Sequence, residues 1–333
     1  MPTVGQCLSH RDVEPIALLP VEKSNKDVVY QQLEANIGKT GVPRLVVGDH
    51  GSDLKAGVEK FCQEHPETCF VYDIKHKTAA VLKHELERDE TWLEFTRLAA
   101  QTKNRVQQTP LAFLAPPNQR TKARYMNVDI LVRWGQGLLA FLDRQQTEEG
   151  TLFDPEQVQK KLGWIICFRQ ALEEWGELLQ LTIVTESFVR QQGLYHDAHL
   201  ELTERLQPMA HTDRTKRVRT ELVAFVAQES AKAHLGERLL GSSEVIESVL
   251  GKLKRLEQDQ AKSGFTGLLL SIGAMVASTS SDVILKALET VPTKKVLAWC
   301  KESLGRSVQA KRQEAFASPD KLEQKQDQSW VAV

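Results

Sequence analysis

The sequence lacks an excess of either charge. Its 43 Lys plus Arg stand against 44 Asp plus Glu, so no global positive field advertises a nucleic-acid partner, and any DNA contact has to come from local basic patches. It also lacks a Cys-x-x-Cys pair. The five cysteines, Cys7, Cys62, Cys69, Cys167 and Cys300, are odd in number and scattered. That argues against a disulfide framework and a zinc ribbon, and favours a reducing, cytoplasmic setting. Long apolar runs are absent as well. The longest uncharged one, Phe265 to Ser278, is too short to span a bilayer, contains Gly267 and Gly273, and reads as a buried helix. The opening MPTVGQCLSHRD has neither the basic start nor the apolar stretch of a signal peptide, so neither export nor a membrane partner is expected.

What is present suffices for two domains, or for one domain with a large insertion: 333 residues, 41% of them hydrophobic. Residues 13–20 (VEPIALLP) read as a short apolar strand. Asn25 to Ile37 show helical spacing through Val28, Val29, Leu33 and Ile37, with Gly38 closing the helix. The run Pro43 to Gly48 (PRLVVG) has strand length and ends on Asp49. A helix from Ser52 to Cys62 follows, then a strand over 69–74 (CFVYDI) that carries Asp73. Strand, helix, strand, helix, strand implies an α/β core with parallel pairing. Beyond Lys75 the pattern turns helical, with segments Thr78 to Thr102, Asn127 to Arg144, Pro155 to Gln192 and Thr215 to His234. No internal repeat stands out. The end, 318–333, is polar and is expected to fray.

Two features could carry chemistry. In RLVVGDHGSDLKAG a buried strand delivers Asp49 to its C-terminal tip, where α/β sheets place functional groups. The plainer alternative is that Asp49 starts a turn and Asp53 complements the helix dipole. In SSEVIESVLGKLKR, Glu247 and Lys254 lie seven residues apart and share one helical face, with Glu244 close to it. A carboxylate beside a lysine suits a metal site next to a phosphate, whereas the plainer alternative is a solvated helix. Basic stretches at Arg120 to Arg124 (RTKAR), Arg214 to Arg219 (RTKRVR) and Lys252 to Arg255 could each neutralise DNA phosphates or simply face water. Gly38-Lys39-Thr40 lacks the upstream glycine of a phosphate-binding loop, having Leu33 there, and is better explained as a helix end. His196 and His199 could ligate metal from one helix face, but the sequence places no third ligand with them.

The runs VVGDHGSDLKAG, FVYDIKHKTAAVL and ERLLGSSEVIESVLGKLK together resemble bacterial insertion-sequence transposases of the DDE class. The resemblance implies an α/β, RNase H-like core lacking its first strand or strands, interrupted by a large all-helical insertion and completed by C-terminal helices. On that reading residues 1–84 form the partial core, 85–235 the insertion, 236–317 the helices that carry Glu247, and 318–333 a polar tail. Asp49 matches the second catalytic aspartate, Glu247 the third acidic residue, and Lys254 the lysine seven positions after it. Where that motif often carries tyrosine and arginine, this chain has Leu240 and Ser243. The first catalytic aspartate has no counterpart inside a strand, since Asp12 sits ahead of one, so the resemblance implies an N-terminally truncated, inactive or impaired catalytic region. It further implies DNA cleavage and strand transfer by two-metal phosphoryl transfer in the intact parent, with Asp49 and Glu247 holding Mg²⁺ or Mn²⁺. Transposon ends and target DNA would be partners, alongside a homo-oligomer or a mixed oligomer with full-length transposase. A non-catalytic DNA-binding or regulatory protein derived from a transposase is the alternative. Asp53, Asp73 and Glu244 remain open as additional members of the site.

Overall fold

The computed structural model describes residues 12–21, 23–119, 128–147, 154–259, 267–276, 280–305, 311–312 and 315–316. The basic run 120–124 and the tail 318–333 lie outside them. The chain divides into two compact units, Met1–Val42 with Ser243–Val333, and Pro43–Ser242.

In the second unit two short strands, β1 (Leu45–Gly48) and β2 (Cys69–Tyr72), lie parallel with Leu45 opposite Cys69 and Gly48 opposite Tyr72. Helix α2 (Ser52–Glu64) connects them and buries Val58 and Phe61. Gly48 is small because a Cβ there would come within 3.0 Å of the Leu54 side chain. Helix α3 (Ile74–Leu86) starts directly after β2, where the Asp73 carboxylate accepts the His76 amide at 3.0 Å. The single helix expected over 78–102 is two helices. Asp89 accepts the Trp92 amide at 3.1 Å and opens α4 (Glu90–Val106), because a capping aspartate offers the backbone an alternative to continuing the preceding helix.

The remaining helices of this unit are α5 (Val128–Thr147), α6 (Pro155–Leu162), α7 (Arg169–Gln192), α8 (Ala198–Leu206) and α9 (Asp213–Ser230). The stretch expected as one helix over 155–192 is broken by a 3₁₀ segment, Gly163–Phe168, which tucks Ile165 and Phe168 inward. Helix α7 ends at Gly193, whose φ of 73° is the left-handed conformation glycine adopts without a Cβ penalty. Phe95 sits at the centre of the helical core with no exposed surface. Its ring lies 5.8 Å from Trp92, 5.2 Å from Trp175, 5.5 Å from Phe168, 5.8 Å from Trp164 and 6.3 Å from Trp134. The indoles of Trp164 and Trp134 reach hydrogen-bond partners, Thr102 Oγ1 at 2.9 Å and the Leu114 carbonyl at 3.0 Å, as half-buried indoles require.

After α9 the chain runs back to the sheet. Leu239 and Leu194 exchange both backbone hydrogen bonds at 2.8 Å. The Gly241 carbonyl accepts the Ile74 amide at 2.9 Å, an approach only glycine permits, since a Cβ at 241 would stand 2.4 Å from Val189 Cγ1. Arg44, just before β1, clamps the same segment: it binds both oxygens of Glu237 at 2.9 and 2.7 Å and donates to the Lys232 carbonyl at 2.8 Å.

In the first unit α1 (Lys26–Thr40) is capped by Asn25, whose side chain accepts the Asp27 and Val28 amides at 3.0 Å each. Its end is Gly41, at φ 73°, with Gly38 inside the helix where closure had been expected. Helix α10 (Glu244–Asp259) packs with the 3₁₀ turn Gly267–Leu270 and α11 (Ser271–Val276). The short helices α12 (Ser281–Thr290) and α13 (Thr293–Trp299) follow. Residues 13–20, expected as a strand, are irregular and leave Ile16 and Leu19 exposed. Pro15 and Pro20 explain this, since neither can donate to a ladder. The fold is therefore mixed α/β, mostly helical, with a two-stranded parallel sheet among the described residues.

Truncating the aromatic hub tests this core. Phe95→Ala is expected to lower unfolding free energy by about 3–5 kcal/mol, read from urea denaturation. A loss below about 1 kcal/mol would show that the rings around it carry the packing without it.

Candidate functional site

The C-terminal ends of the two parallel strands gather four chemically capable side chains. Asp49 and His50 follow β1, while Tyr72 ends β2 and Asp73 follows it. Because Gly48 stands opposite Tyr72, Asp49 and Asp73 leave the sheet from adjoining positions, at the edge where parallel sheets present functional groups. Asp49 is half-buried and uses Oδ1 to accept the Gly51 amide at 3.0 Å, the local turn anticipated from the sequence. Asp73 is fully buried and caps α3. Asp53 is exposed in the first turn of α2, as expected of a residue that complements the helix dipole.

His50 stacks on Tyr72 with ring centroids 3.7 Å apart and planes 10° from parallel. Burial pushes the imidazole below its ordinary value, helped by the positive charge of Lys55. Burial pushes the Tyr72 hydroxyl up, reinforced by the negative charges of Asp49 and Asp73. The edge of Phe225 meets Tyr72 at 6.1 Å, and Lys77 lies over the Phe225 ring at 5.7 Å. Sequence reasoning missed this aromatic cluster, because the pairing of His50 with Tyr72 depends on strand register, which neither residue signals alone.

Glu247 and Lys254 belong to α10, in the first unit, whereas Asp49 belongs to the second. At about 100° per residue, Glu247 and Lys254 fall on one strip of the helix, separate from the strip of Val249 and Leu253 that is buried. Lys252, Lys254 and Arg255 are exposed. Glu244 opens the helix half-buried.

The basic run 214–219 divides according to the turn of α9. Arg214 points inward and is no free phosphate ligand: it binds Glu85 at 2.8 Å, Asp89 at 2.8 Å and Glu174 at 3.2 Å. Lys216 and Arg217 point outward, with Val218 buried between the two faces. His196 lies in the turn before α8 and His199 on α8 itself, so the two do not share a helix face. They belong to no cluster of three ligating groups among the described residues.

Behind the sheet end, Glu186 of α7 accepts a hydrogen bond from the Thr78 hydroxyl beside a cavity of about 140 Å³ that Lys75 and Asp129 also line. Burial pushes its carboxyl up, against the opposing pull of Thr78 and Lys75. Between the ordinary glutamate value and this raised one, the folded state holds a proton that the unfolded chain has released. Its stabilising contribution is therefore full at the acid end and is lost as pH rises through the folded value. Glu186→Gln should remove that decline. Unfolding free energies measured by urea at several pH values from 4 to 7 should fall less steeply with pH than in the unaltered protein, and identical slopes would contradict the assignment. No protein-family model, no curated protein and no solved structure matches the chain.

Proposed function

We propose that these residues form part of the catalytic region of a DDE-type transposase with an RNase H-like core, acting on DNA by phosphoryl transfer. The observation that carries the reading is the position of Asp49, just past the C-terminal end of a half-buried parallel strand, adjoining Asp73, which follows the neighbouring strand. A second support is the exposed lysine seven residues after Glu247 on one strip of α10.

On this reading Asp49 and Glu247 are the carboxylates that hold Mg²⁺ or Mn²⁺. Their donor chemistry fits, since hard divalent cations take oxygen ligands, and Asp49 has already oriented its carboxylate through one oxygen on Gly51. Bound divalent ions supply charge neutralisation at the scissile phosphate and a more acidic water. Lys254 contributes a point charge to a neighbouring phosphate, lowering the cost of bringing an anionic strand to a carboxylate pair. In the first reaction water attacks phosphorus, the bond to the 3′ oxygen breaks, and the leaving oxygen takes a proton to become a 3′ hydroxyl. In the second reaction that hydroxyl attacks a phosphate of target DNA and displaces its 3′ oxygen in turn. Two carboxylates neutralise a pair of divalent ions incompletely, so weak ion binding and little or no cleavage are expected from these residues alone.

Mn²⁺ titration followed by electron paramagnetic resonance tests the assignment. Asp49→Asn and Glu247→Gln should each weaken binding by about tenfold or more, a loss of about 1.4 kcal/mol. Lys254→Ala should leave Mn²⁺ binding unchanged while weakening binding to duplex DNA. Mn²⁺ affinity that is insensitive to both carboxylate changes would remove the basis for the reading.

A further inference from the structure

Thr78 of α3 has one hydroxyl proton and two acceptors. Its Oγ1 stands 3.0 Å from the Lys75 carbonyl and also bonds Glu186 Oε1 of α7. A carbonyl and a carboxylate only accept, whereas a hydroxyl donates once and accepts through its lone pairs. With Glu186 ionised, one of the two contacts is left as oxygen facing oxygen with no proton between them. With Glu186 as a carboxylic acid both are satisfied: the acid donates to Thr78 Oγ1, and Thr78 donates to the Lys75 carbonyl. Thr78 is only 1% exposed, which keeps bulk water from supplying the missing proton. The surroundings favour the acid form. Buried Leu82, Val128 and Leu179 line the cavity beside Glu186. Their apolar environment outweighs the charges that face the carboxyl, which are Lys75 and Asp73 from the α3 side, Asp129 from α5 and Arg190 one turn along α7.

We infer that Glu186 is a proton-operated latch between α7 and the first turns of α3. Protonated, it closes a chain of hydrogen bonds, from Glu186 to Thr78 and from Thr78 to the Lys75 carbonyl, that ties the two helices together. When the proton leaves for water, the carboxylate claims the Thr78 proton, because a hydrogen bond to a charged acceptor is the stronger one. The Lys75 carbonyl then loses its side-chain donor. The new negative charge also faces Asp129 and Asp73, and Asp73 is the residue that caps α3 and follows β2. A protonation event on α7 is thereby transmitted to the turn whose opening residue stands at the C-terminal end of the sheet. The latch is made of side chains within Pro43–Ser242 and does not depend on the DNA reading.

Hydrogen exchange at the amides of residues 77–79 in the full chain, followed from about pH 4 to pH 8 and divided by the intrinsic rate at each pH, tests it. In the unaltered protein exchange should quicken about fivefold as Glu186 ionises, the worth of one net hydrogen bond. Glu186→Gln should abolish the change, since the amide donates to Thr78 as the acid does and does not titrate. Thr78→Val should abolish it by removing the hydroxyl, and Thr78→Ser should retain it; circular dichroism checks that each variant folds. Infrared spectra should show a protonated-carboxyl band that persists above the ordinary glutamate range and is missing from Glu186→Gln. A pH dependence that survives in Glu186→Gln would belong to another group, His76 of the same turn included, and one unchanged in folded Thr78→Val would bypass the hydroxyl. Either result, a flat profile in the unaltered protein, or the absence of that infrared band would overturn the inference.

Discussion

Two four-residue strands lying parallel turn half of their backbone polar groups towards each other and half away, and an outward group sealed from water without a partner costs about 1–3 kcal/mol. The larger unit is organised around that demand. The end of α9 supplies Glu229, only 5% exposed, and Lys232, and their charged groups stand in for a third strand beside β2. Removing Lys232 would leave the buried Glu229 carboxylate unpaired near the sheet, which for a buried charge costs on the order of 3–5 kcal/mol. The return of the chain follows from the same anchorage. Once α9 ends against β2, residues 231–242 are fastened by Arg44 on Glu237, by the Leu194–Leu239 bridge and by the Gly241 carbonyl on Ile74.

So small a sheet is sustained by the helices beside it. A two-stranded sheet has little independent stability. Val71 and Ile74 belong to the same buried cluster as Phe95, Trp175 and Leu172, so β2 and the start of α3 share one core with α4 and α7. Charge is managed locally within it. Arg214, fixed by three carboxylates, joins α3, α4, α7 and α9 at one point, which is why a run that reads as basic in one dimension presents only part of its charge outward.

The sequence disclosed what depends on neighbours along the chain. The Leu-Val-Val run of β1, the apolar CFVY of β2, the Asp49 turn and most helices are local patterns, and they stand where periodicity and capping chemistry put them. It misled where one residue outweighed a pattern. Pro15 and Pro20 keep 13–20 out of a ladder, Asp89 cuts one expected helix into two, and the Gly163–Phe168 turn interrupts another. Of the candidate site, the placement of Asp49 and the shared strip of Glu247 and Lys254 were legible because each lies within one element. The stacking of His50 on Tyr72 and the capping of β2 by Glu229 and Lys232 were not, since both join residues through register or across 157 to 162 positions of sequence. The inward turn of Arg214 belongs to the same class.

The phosphoryl-transfer account rests on a single spatial claim, that Asp49 and Glu247 serve a common ion. Carboxylates on separate elements gain this role only if their oxygens reach the same coordination sphere, about 2.0–2.1 Å from a bound ion for Mg²⁺-like chemistry. The direct measurement is a crystal structure of the chain grown with Mn²⁺, with anomalous scattering used to locate the metal. The account predicts a peak ligated by both Asp49 and Glu247. A structure in which the two carboxylates face different solvent regions, or in which the metal is held by neither, would contradict it.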